Sequence, residues 1–245
     1  MQRTTLATVV TLALAAATPC AAGEPHLDYA VDEAGALYAL DLAALTTRRI
    51  GHIQAGDERP VLGDLVATPD GYLYGFSEAS VYLINLTDPT RSQKVGDHGL
   101  DNPYGVGLGP RGLVYAMTRD GRVFVVDPTT ARSREVGALG GGFRASGDMA
   151  LMGEVFYASV KDPGRVEHLV TVDPRTGAAA HVAAFTDAIT GAPITNVFGL
   201  LARQGALYAM TSAGDIFRVD PATARCTLLA RTGIRWWGAT EYLRL

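Results

Sequence analysis

The chain repeats itself, and this repetition limits its possible folds more than any other feature. Residues 208–225 (YAMTSAGDIFRVDPATAR) align without a gap on residues 115–132 (YAMTRDGRVFVVDPTTAR), with twelve of eighteen positions identical. Residues 29–51 align in the same way on residues 115–137. A period of about 40 to 50 residues that is rich in β-branched and aromatic residues is typical of small antiparallel sheets arranged in a ring. The sequence therefore predicts an all-β fold, a single β-propeller.

The ends of the array predict the number of blades. Each repeat contains one recurring tyrosine, which we call its anchor tyrosine. Every anchor except the first follows a strand-like segment that opens on a glycine. The anchors are Tyr29, Tyr74, Tyr115, Tyr157 and Tyr208, and the glycines are Gly63, Gly105, Gly147 and Gly199. A fifth glycine segment, opening on Gly238, stands alone at the C-terminus. Pairing it with the N-terminal repeat would remove an exposed sheet edge, so we predict five four-stranded blades closed in this way.

Composition and charge fit one packed domain and exclude nucleic acid as a main partner. Hydrophobic residues make up 48% of the chain and charged residues 19%, which suits a globular domain. The net charge is −4 and the pI is about 5.7. Nucleic-acid binding needs clustered Lys and Arg, which this chain lacks. We expect the domain to be a monomer.

Residues 1–22 resemble a cleaved signal peptide. Arg3 gives a positive start, a short apolar stretch follows, and Cys20-Ala21-Ala22 is a small-residue cleavage site. We therefore expect a secreted or periplasmic protein whose propeller domain spans residues 23–245, with no membrane insertion after cleavage. Cys226 is then the sole cysteine, and we expect it to be a buried apolar residue without a catalytic role.

Catalytic and metal-binding motifs are not found in the sequence. There is no nucleophile elbow, no His-Glu-x-x-His pair, no Cys-x-x-Cys pair and no phosphate loop. The five histidines lack the spacing of metal ligands; they are His26, His52, His98, His168 and His181. We predict no metal site and no cofactor.

Residues that recur in every repeat are interpreted as scaffold, because scaffold demands repeat with the fold. The anchor tyrosines are expected to pack between blades, and the glycines to let inner strands crowd around the axis. The aspartates that close the third strand of a blade are expected to form turns; they are Asp41, Asp127, Asp173 and Asp220.

Function is better sought where equivalent positions differ. Three residues before each glycine stand Pro60, Asn102, Arg144, Asn196 and Arg235, and one residue before stand Leu62, Tyr104, Ser146, Phe198 and Trp237. These positions predict a polar rim over aromatic walls, as in small-ligand sites. The predicted ligand-binding residues are Asn102, Tyr104, Arg144, Asn196, Phe198, Arg235 and Trp236. The alternative is that the aromatic residues are core and the charged residues belong to solvated loops.

Two insertions in the fourth repeat indicate that the binding site lies on the same side of the propeller. Residues 161–168 lengthen the connection between its second and third strands, and residues 186–196 lengthen the connection to the next blade. In an antiparallel blade both connections lie where the inner strand begins, and long loops on one face of a rigid scaffold are common binding sites. They could also be neutral decoration.

The blade pattern resembles that of secreted bacterial propellers. Gly-x-Leu-Tyr-Ala, then Asp-Gly-x-[Val/Ile]-Phe-x-Val-Asp-Pro-x-Thr and Val-Gly, is similar to NHL, gluconolactonase-like and quinoprotein-like repeats. The resemblance implies the fold over residues 27–245 and no particular activity. Gluconolactonase-like enzymes hold a metal with Glu, Asn and Asp, and no matching glutamate opens the first repeats here.

Two hypotheses of different class follow. The first is a binding or interaction module that recognises a small molecule, a glycan or a protein segment. The alternative is a hydrolase or lyase, directed at a glycan or a lactone, that uses carboxylates from different blades. Its candidate catalytic residues are Asp64, Asp148 and Glu241, which lie on different inner strands. An open site with two of these carboxylates about 5 to 10 Å apart would favour the enzyme.

Overall fold

A computed structural model describes residues 27–242 of the chain. The predicted signal peptide and its Cys20 lie outside the described residues. No helix within residues 27–242 is both long and apolar enough to cross a membrane.

The chain forms short strands almost throughout, with 3₁₀ turns at Pro89–Arg91 and Pro110–Gly112. In chain order the strands are β1 (Asp28–Asp32), β2 (Ala36–Asp41), β3 (Thr46–His52), β4 (Asp64–Ala67), β5 (Leu73–Phe76), β6 (Ser80–Ile84), β7 (Gln93–Asp97), β8 (Pro103–Leu108), β9 (Val114–Thr118), β10 (Arg122–Asp127), β11 (Arg132–Ala138), β12 (Arg144–Met152), β13 (Val155–Lys161), β14 (Glu167–Val172), β15 (Ala179–Ala184), β16 (Thr186–Asp187), β17 (Val197–Arg203), β18 (Ala206–Thr211), β19 (Asp215–Val219), β20 (Arg225–Arg231) and β21 (Trp236–Thr240).

These strands make five antiparallel blades, which confirms the predicted propeller. From the axis outward, the strand orders are β21-β1-β2-β3 in blade 1, β4-β5-β6-β7 in blade 2, β8-β9-β10-β11 in blade 3, β12-β13-β14-β15 in blade 4 and β17-β18-β19-β20 in blade 5. The innermost strands therefore come from β21, β4, β8, β12 and β17. We call the end of the propeller where these five strands begin the strand-start face, and the other end the strand-end face.

The ring closes as the ends of the repeat array predict. The C-terminal strand β21 pairs antiparallel with β1, placing Ala30 opposite Ala239 and Tyr29 opposite Thr240. Blade 1 thus takes its inner strand from one end of the chain and its other three strands from the opposite end. This arrangement leaves no blade without its inner strand.

The inner strands crowd around the axis at their glycines. A Cβ atom on Gly105 would overlap the carbonyl oxygen of Gly147, and one on Gly147 would overlap that of Val197. Gly63 is less constrained, because its Cβ would lie 3.5 Å from the Pro103 carbonyl oxygen, an ordinary contact. The predicted role of these glycines is therefore confirmed for the closest approaches between blades.

Most inner strands begin earlier than the glycine at which the sequence predicts their start. β8 begins at Pro103, β12 at Arg144 and β17 at Val197, two or three residues before the glycine. In each case the register with the next strand shifts close to the glycine. A β-bulge bends each of these strands near its glycine. The strand therefore pairs with its neighbour on the N-terminal side of the glycine as well, before the point at which the sequence predicts its start.

The remaining scaffold predictions are confirmed where contacts test them. The Tyr115 hydroxyl donates a hydrogen bond of 3.2 Å to the Pro174 carbonyl oxygen in the next blade. The Asp127 carboxylate accepts the Thr129 N–H at 2.9 Å, as a turn-forming aspartate does. Cys226 is fully buried, and this burial raises the pKa of its thiol to about 12.

The sequence predicts that the second insertion lies over the strand-start face, but in the structure only part of it does. Its first residues form β16, which pairs parallel with the outer edge of blade 5 through Thr186 and Arg225. The outer edge of a blade offers unpaired N–H and C=O groups, so a long connection gains hydrogen bonds by following it. Only the end of the insertion, at Thr195 and Asn196, reaches the start of β17.

Candidate functional site

Two aromatic rings from neighbouring blades meet at the strand-start face. Phe198 begins blade 5 and Trp237 lies on β21 of blade 1, and their rings pack edge to face with centroids 6.5 Å apart. Both side chains are half-buried. Tyr104 of blade 3 leaves 39% of its surface exposed. Phe198 and Trp237 thus form a partly exposed aromatic pair, which we call the aromatic wall, and Tyr104 stands apart from it on blade 3.

Trp236 does not belong to this wall. Its side chain is fully buried and packs edge to face on Tyr38, with ring centroids 5.3 Å apart. Because successive residues of a strand point to opposite sides, Trp236 enters the core between blades 5 and 1 while Trp237 points the other way. Trp237 therefore takes the place at the site that the sequence assigns to Trp236.

The two predicted asparagines have a conformational reason for their identity. Asn102 and Asn196 both have positive φ angles, of 47° and 56°. Asparagine tolerates this left-handed conformation better than most other residues. The Asn196 amide oxygen also lies 3.3 Å from the Lys161 ammonium, so Asn196 takes part in the polar network of the site.

The two predicted arginines differ in how they are paired. Arg235 forms an ion pair with Glu33 at 3.0 Å, and most of its side chain is in solvent. Arg144 is exposed and forms no ion pair within residues 27–242. It is the direct cross-strand partner of Lys161 on β13. Like charges directly opposite each other repel, so this end of blade 4 carries an uncompensated positive charge.

A buried ion pair next to the aromatic wall escapes prediction from the sequence. Glu167 is 1% exposed, and its Oε2 atom lies 3.4 Å from the Lys161 ammonium and accepts the Asn196 N–H at 3.2 Å. The Lys161 ammonium in turn lies 5.6 Å from the centre of the Phe198 ring. Both charged residues flank the turn of the first insertion, which is the signal that could have identified them.

Burial raises the pKa of the Glu167 carboxyl, against the opposing effects of the Ser146 hydroxyl and the Lys161 ammonium. Its second oxygen, Oε1, and the Ser146 hydroxyl are both buried, and Ser146 is the neighbouring polar side chain that acts on Glu167. The buried indole N–H of Trp236, in the core between blades 5 and 1, has no hydrogen-bond partner within residues 27–242.

Asp64 and Asp148 tie the five blades together at the axis. The Asp64 carboxyl of blade 2 accepts the Val106 N–H of blade 3 at 2.6 Å. The Asp148 carboxyl of blade 4 accepts the Leu200 N–H of blade 5 and the Ala239 N–H of blade 1, each at 3.2 Å. Each aspartate also accepts the N–H of the residue that follows it. The two carboxyls thus satisfy the axial N–H groups of the three blades that have no aspartate at this position.

Both axial carboxyls hold a proton more tightly than an exposed aspartate does. Burial raises the pKa of each well above its usual range, and the charge of Asp148 raises that of Asp64 further. Both residues are fully buried. They do not form the open pair of carboxylates that cleavage of a glycan requires.

Glu241, the third candidate carboxylate, lies at the strand-end face. It lines a cavity of about 90 Å³ whose other walls include Leu108, Met149 and Leu201. Burial and the negative charge of Asp28 raise the pKa of Glu241 to about 7. Ligand pockets usually measure about 300–1,000 Å³, so this cavity is small for an organic ligand.

Asp28 lies beside this cavity, where an ion pair holds it. Its carboxylate accepts the Arg203 guanidinium at 2.9 Å and the Tyr242 N–H at 3.2 Å. Burial raises the pKa of Asp28 to about 6, although the Arg203 charge opposes the rise. Arg203, which the sequence places in an open turn, is therefore mostly buried in this ion pair.

No set of three or more His, Cys, Asp and Glu side chains converges as a metal site in the described part of the chain. The strand-start face carries aromatic rings, cations and polar side chains.

Comparison with known proteins shows the fold and nothing finer. No sequence model of a protein family matches the chain, and no curated protein matches it.

Three of the solved structures that are similar to this chain illustrate its fold. One is a symmetrical protein studied for its de novo evolutionary emergence, with 18% identity, a TM-score of 0.51 and coverage of 86% of this chain and 92% of that chain. The second is a gluconolactonase from Xanthomonas campestris, with 11% identity, a TM-score of 0.52 and coverage of 82% and 70%. The third is an auxiliary nutrient binding protein from Bacteroides thetaiotaomicron, with 13% identity, a TM-score of 0.53 and coverage of 84% and 54%. At these identities the similarity supports the propeller fold alone.

Proposed function

We propose that this propeller is a binding module whose strand-start face captures an acidic saccharide. The observation that carries the proposal is Arg144, an exposed cation without an ion-pair partner in the described chain, set directly opposite Lys161 beside the Phe198 and Trp237 rings. The Glu167 carboxylate pairs with Lys161, whereas Arg144 has no carboxylate partner within residues 27–242. A ligand carboxylate would supply one and could bind the Arg144 guanidinium with two hydrogen bonds.

The other features of the face suit a sugar ring. The Phe198 and Trp237 rings are half-buried and nearly perpendicular, and the flat face of either ring can cover the apolar face of a pyranose. The Lys161 ammonium and the Asn196 amide also lie here, and sugar hydroxyls can both donate and accept hydrogen bonds. A glycan built of uronic acids combines the flat face, the hydroxyls and the carboxylate in one molecule.

We favour binding over hydrolysis or lysis because of where the carboxyls lie. Asp64 and Asp148 are fully buried and engaged with backbone N–H groups. Glu241 is on the opposite face. None of these three carboxyls therefore stands open at the aromatic wall, as the catalytic pair for cleavage of a glycosidic bond would need to.

The test is a binding titration of the mature chain with oligogalacturonides and with neutral cello-oligosaccharides of equal length. We expect the acidic set to raise the melting temperature, since a ligand at a hundred times its Kd adds about 2.7 kcal/mol of stability. Arg144→Ala and Trp237→Ala should weaken binding at least tenfold, Arg235→Ala less, and Arg111→Ala on the strand-end face should not. Equal binding of neutral and acidic sugars would contradict the ligand class. Loss of binding in Arg111→Ala alone would contradict the face.

We also propose that the protein acts outside the cytoplasm. The support is the charged start, short apolar stretch and small-residue cleavage site within residues 1–22. Export would bring the strand-start face into contact with extracellular or periplasmic saccharides.

A further inference from the structure

Two histidines meet on the outer strands of blade 4, one of them directly after Glu167 in the chain. From their geometry we infer that His168 and His181 form a binding site for a divalent transition-metal ion, with Cu²⁺ as the preferred ion and water completing its coordination. His168 lies on β14 and His181 on the outermost strand β15. The Nδ1 atom of His168 and the Nε2 atom of His181 are 2.9 Å apart and share a hydrogen bond, and the ion would take the place of the proton between them.

A β-bulge brings these two side chains to the same side of the sheet. Along β14 and β15, Leu169 is opposite Ala183, but Val170 is opposite His181 instead of Val182. Without the extra residue, His181 would point to the other side, because side chains alternate along a strand. With it, His181 shares a side with Val170 and therefore with His168. The twelve residues between the histidines give no sign of this in the sequence.

A carboxylate holds the His168 ring in the tautomer that a metal ion needs. The Asp162 Oδ2 atom lies 3.2 Å from His168 Nε2, and Asp162 is itself fixed by the Val166 N–H at 2.8 Å. Accepting from Nε2–H leaves the lone pair of His168 on Nδ1. A metal-binding histidine is usually oriented in this way, by a carboxylate that accepts a hydrogen bond from its other ring nitrogen.

The two imidazole ligands favour Cu²⁺ among the divalent ions. Cu²⁺ binds imidazole more tightly than the neighbouring divalent metals, and solvent can complete its square-planar or tetragonal coordination.

The surroundings leave one side of the pair open to an ion. His181 is exposed, and its ring stacks on Phe143 with an angle of 12° between the planes and 6.2 Å between centroids. His168 is mostly covered, with 13% of its side chain exposed. The ion would thus approach from the His181 side, where solvent can supply its other ligands.

The experiment is a calorimetric titration of the untagged mature chain with Cu²⁺ and with Zn²⁺, together with electron paramagnetic resonance of the Cu²⁺ complex. We expect one Cu²⁺ per chain with two imidazole nitrogens in the resonance spectrum, and weaker binding of Zn²⁺. His181→Ala and His168→Ala should each raise the Cu²⁺ Kd at least tenfold, and Asp162→Asn about tenfold or more. His52→Ala, which removes an exposed histidine from blade 1, should leave the Kd unchanged.

His26→Ala is the second control, since a mature amino terminus can itself bind Cu²⁺ close to this residue. Melting temperatures measured without metal would show whether each variant folds. The inference would be overturned if His181→Ala kept the wild-type Kd, if only His26→Ala lost the site, or if no Cu²⁺ bound at one equivalent.

Discussion

Replacing the axial Asp148 by alanine should destabilise the whole ring. The change removes the acceptor for the Leu200 and Ala239 N–H groups, which belong to two other blades and are buried. A buried N–H left without a partner costs about 1–3 kcal/mol, so the two together should cost about 2–6 kcal/mol of unfolding free energy. A typical domain has about 5–15 kcal/mol in total, so the loss is a large fraction of its stability.

Urea denaturation followed by circular dichroism measures this loss. Asp57→Ala, at an exposed aspartate, is the matched control and should change stability by no more than about 0.5 kcal/mol. If Asp148→Ala unfolded at the same urea concentration as the wild type, the axial carboxyls would not hold the blades together. A loss confined to one blade, seen by hydrogen exchange, would also contradict the ring-wide role.

The remaining predictions concern pH, closure, packing and export. Because burial raises the pKa of both axial carboxyls, the folded protein retains a proton that the unfolded chain releases above about pH 4. The pair's contribution to stability should therefore be lost as pH rises above about 4, by about 1.4 kcal/mol per pH unit for each retained proton, so unfolding at pH 5 should need more urea than at pH 7, and the reverse order would refute the protonated pair. Deleting residues 236–245 should lower the melting temperature of the entire domain, whereas an unchanged melting temperature would refute closure by β21. Gly105→Ala should be strongly destabilising because its Cβ would overlap a neighbouring carbonyl, while Gly63→Ala should be tolerated, and equal effects in calorimetry would refute the crowding at the axis. Mass spectrometry of the exported protein should find a start close to Gly23 and no acyl group on Cys20, and an intact Met1 or an acylated cysteine would refute the proposed export.

The repeat array predicts the architecture because each blade position carries its own scaffold demands. Tyr115, Asp127 and Gly105 recur in other repeats for reasons of packing, turn formation and close approach, and the structure shows each of these reasons. The pairing of β21 with β1 follows from counting glycine segments against tyrosines. These features depend on local chemistry and on a period that the sequence displays.

The site is predicted less well because its contacts depend on bulges and on alternation within single strands. The choice between Trp236 and Trp237 depends on which side of β21 each ring faces, and the bulge opposite β1 obscures this in the sequence. The contact of Lys161 with Glu167 needs the exact course of an inserted turn. Asp64 and Asp148 share a register that the sequence displays, but their burial at the axis depends on the close approach of all five inner strands.

The most direct test of the proposed binding face uses the two tryptophans of the chain, which are consecutive residues at the start of β21. Their two indole N–H signals can be resolved by nitrogen-15 nuclear magnetic resonance and assigned with Trp237→Phe. Titration with an oligogalacturonide should move the Trp237 signal in a saturable way, with the same Kd that calorimetry gives for the complex. A saccharide that binds by calorimetry while both indole signals stay in place would contradict binding at the strand-start face.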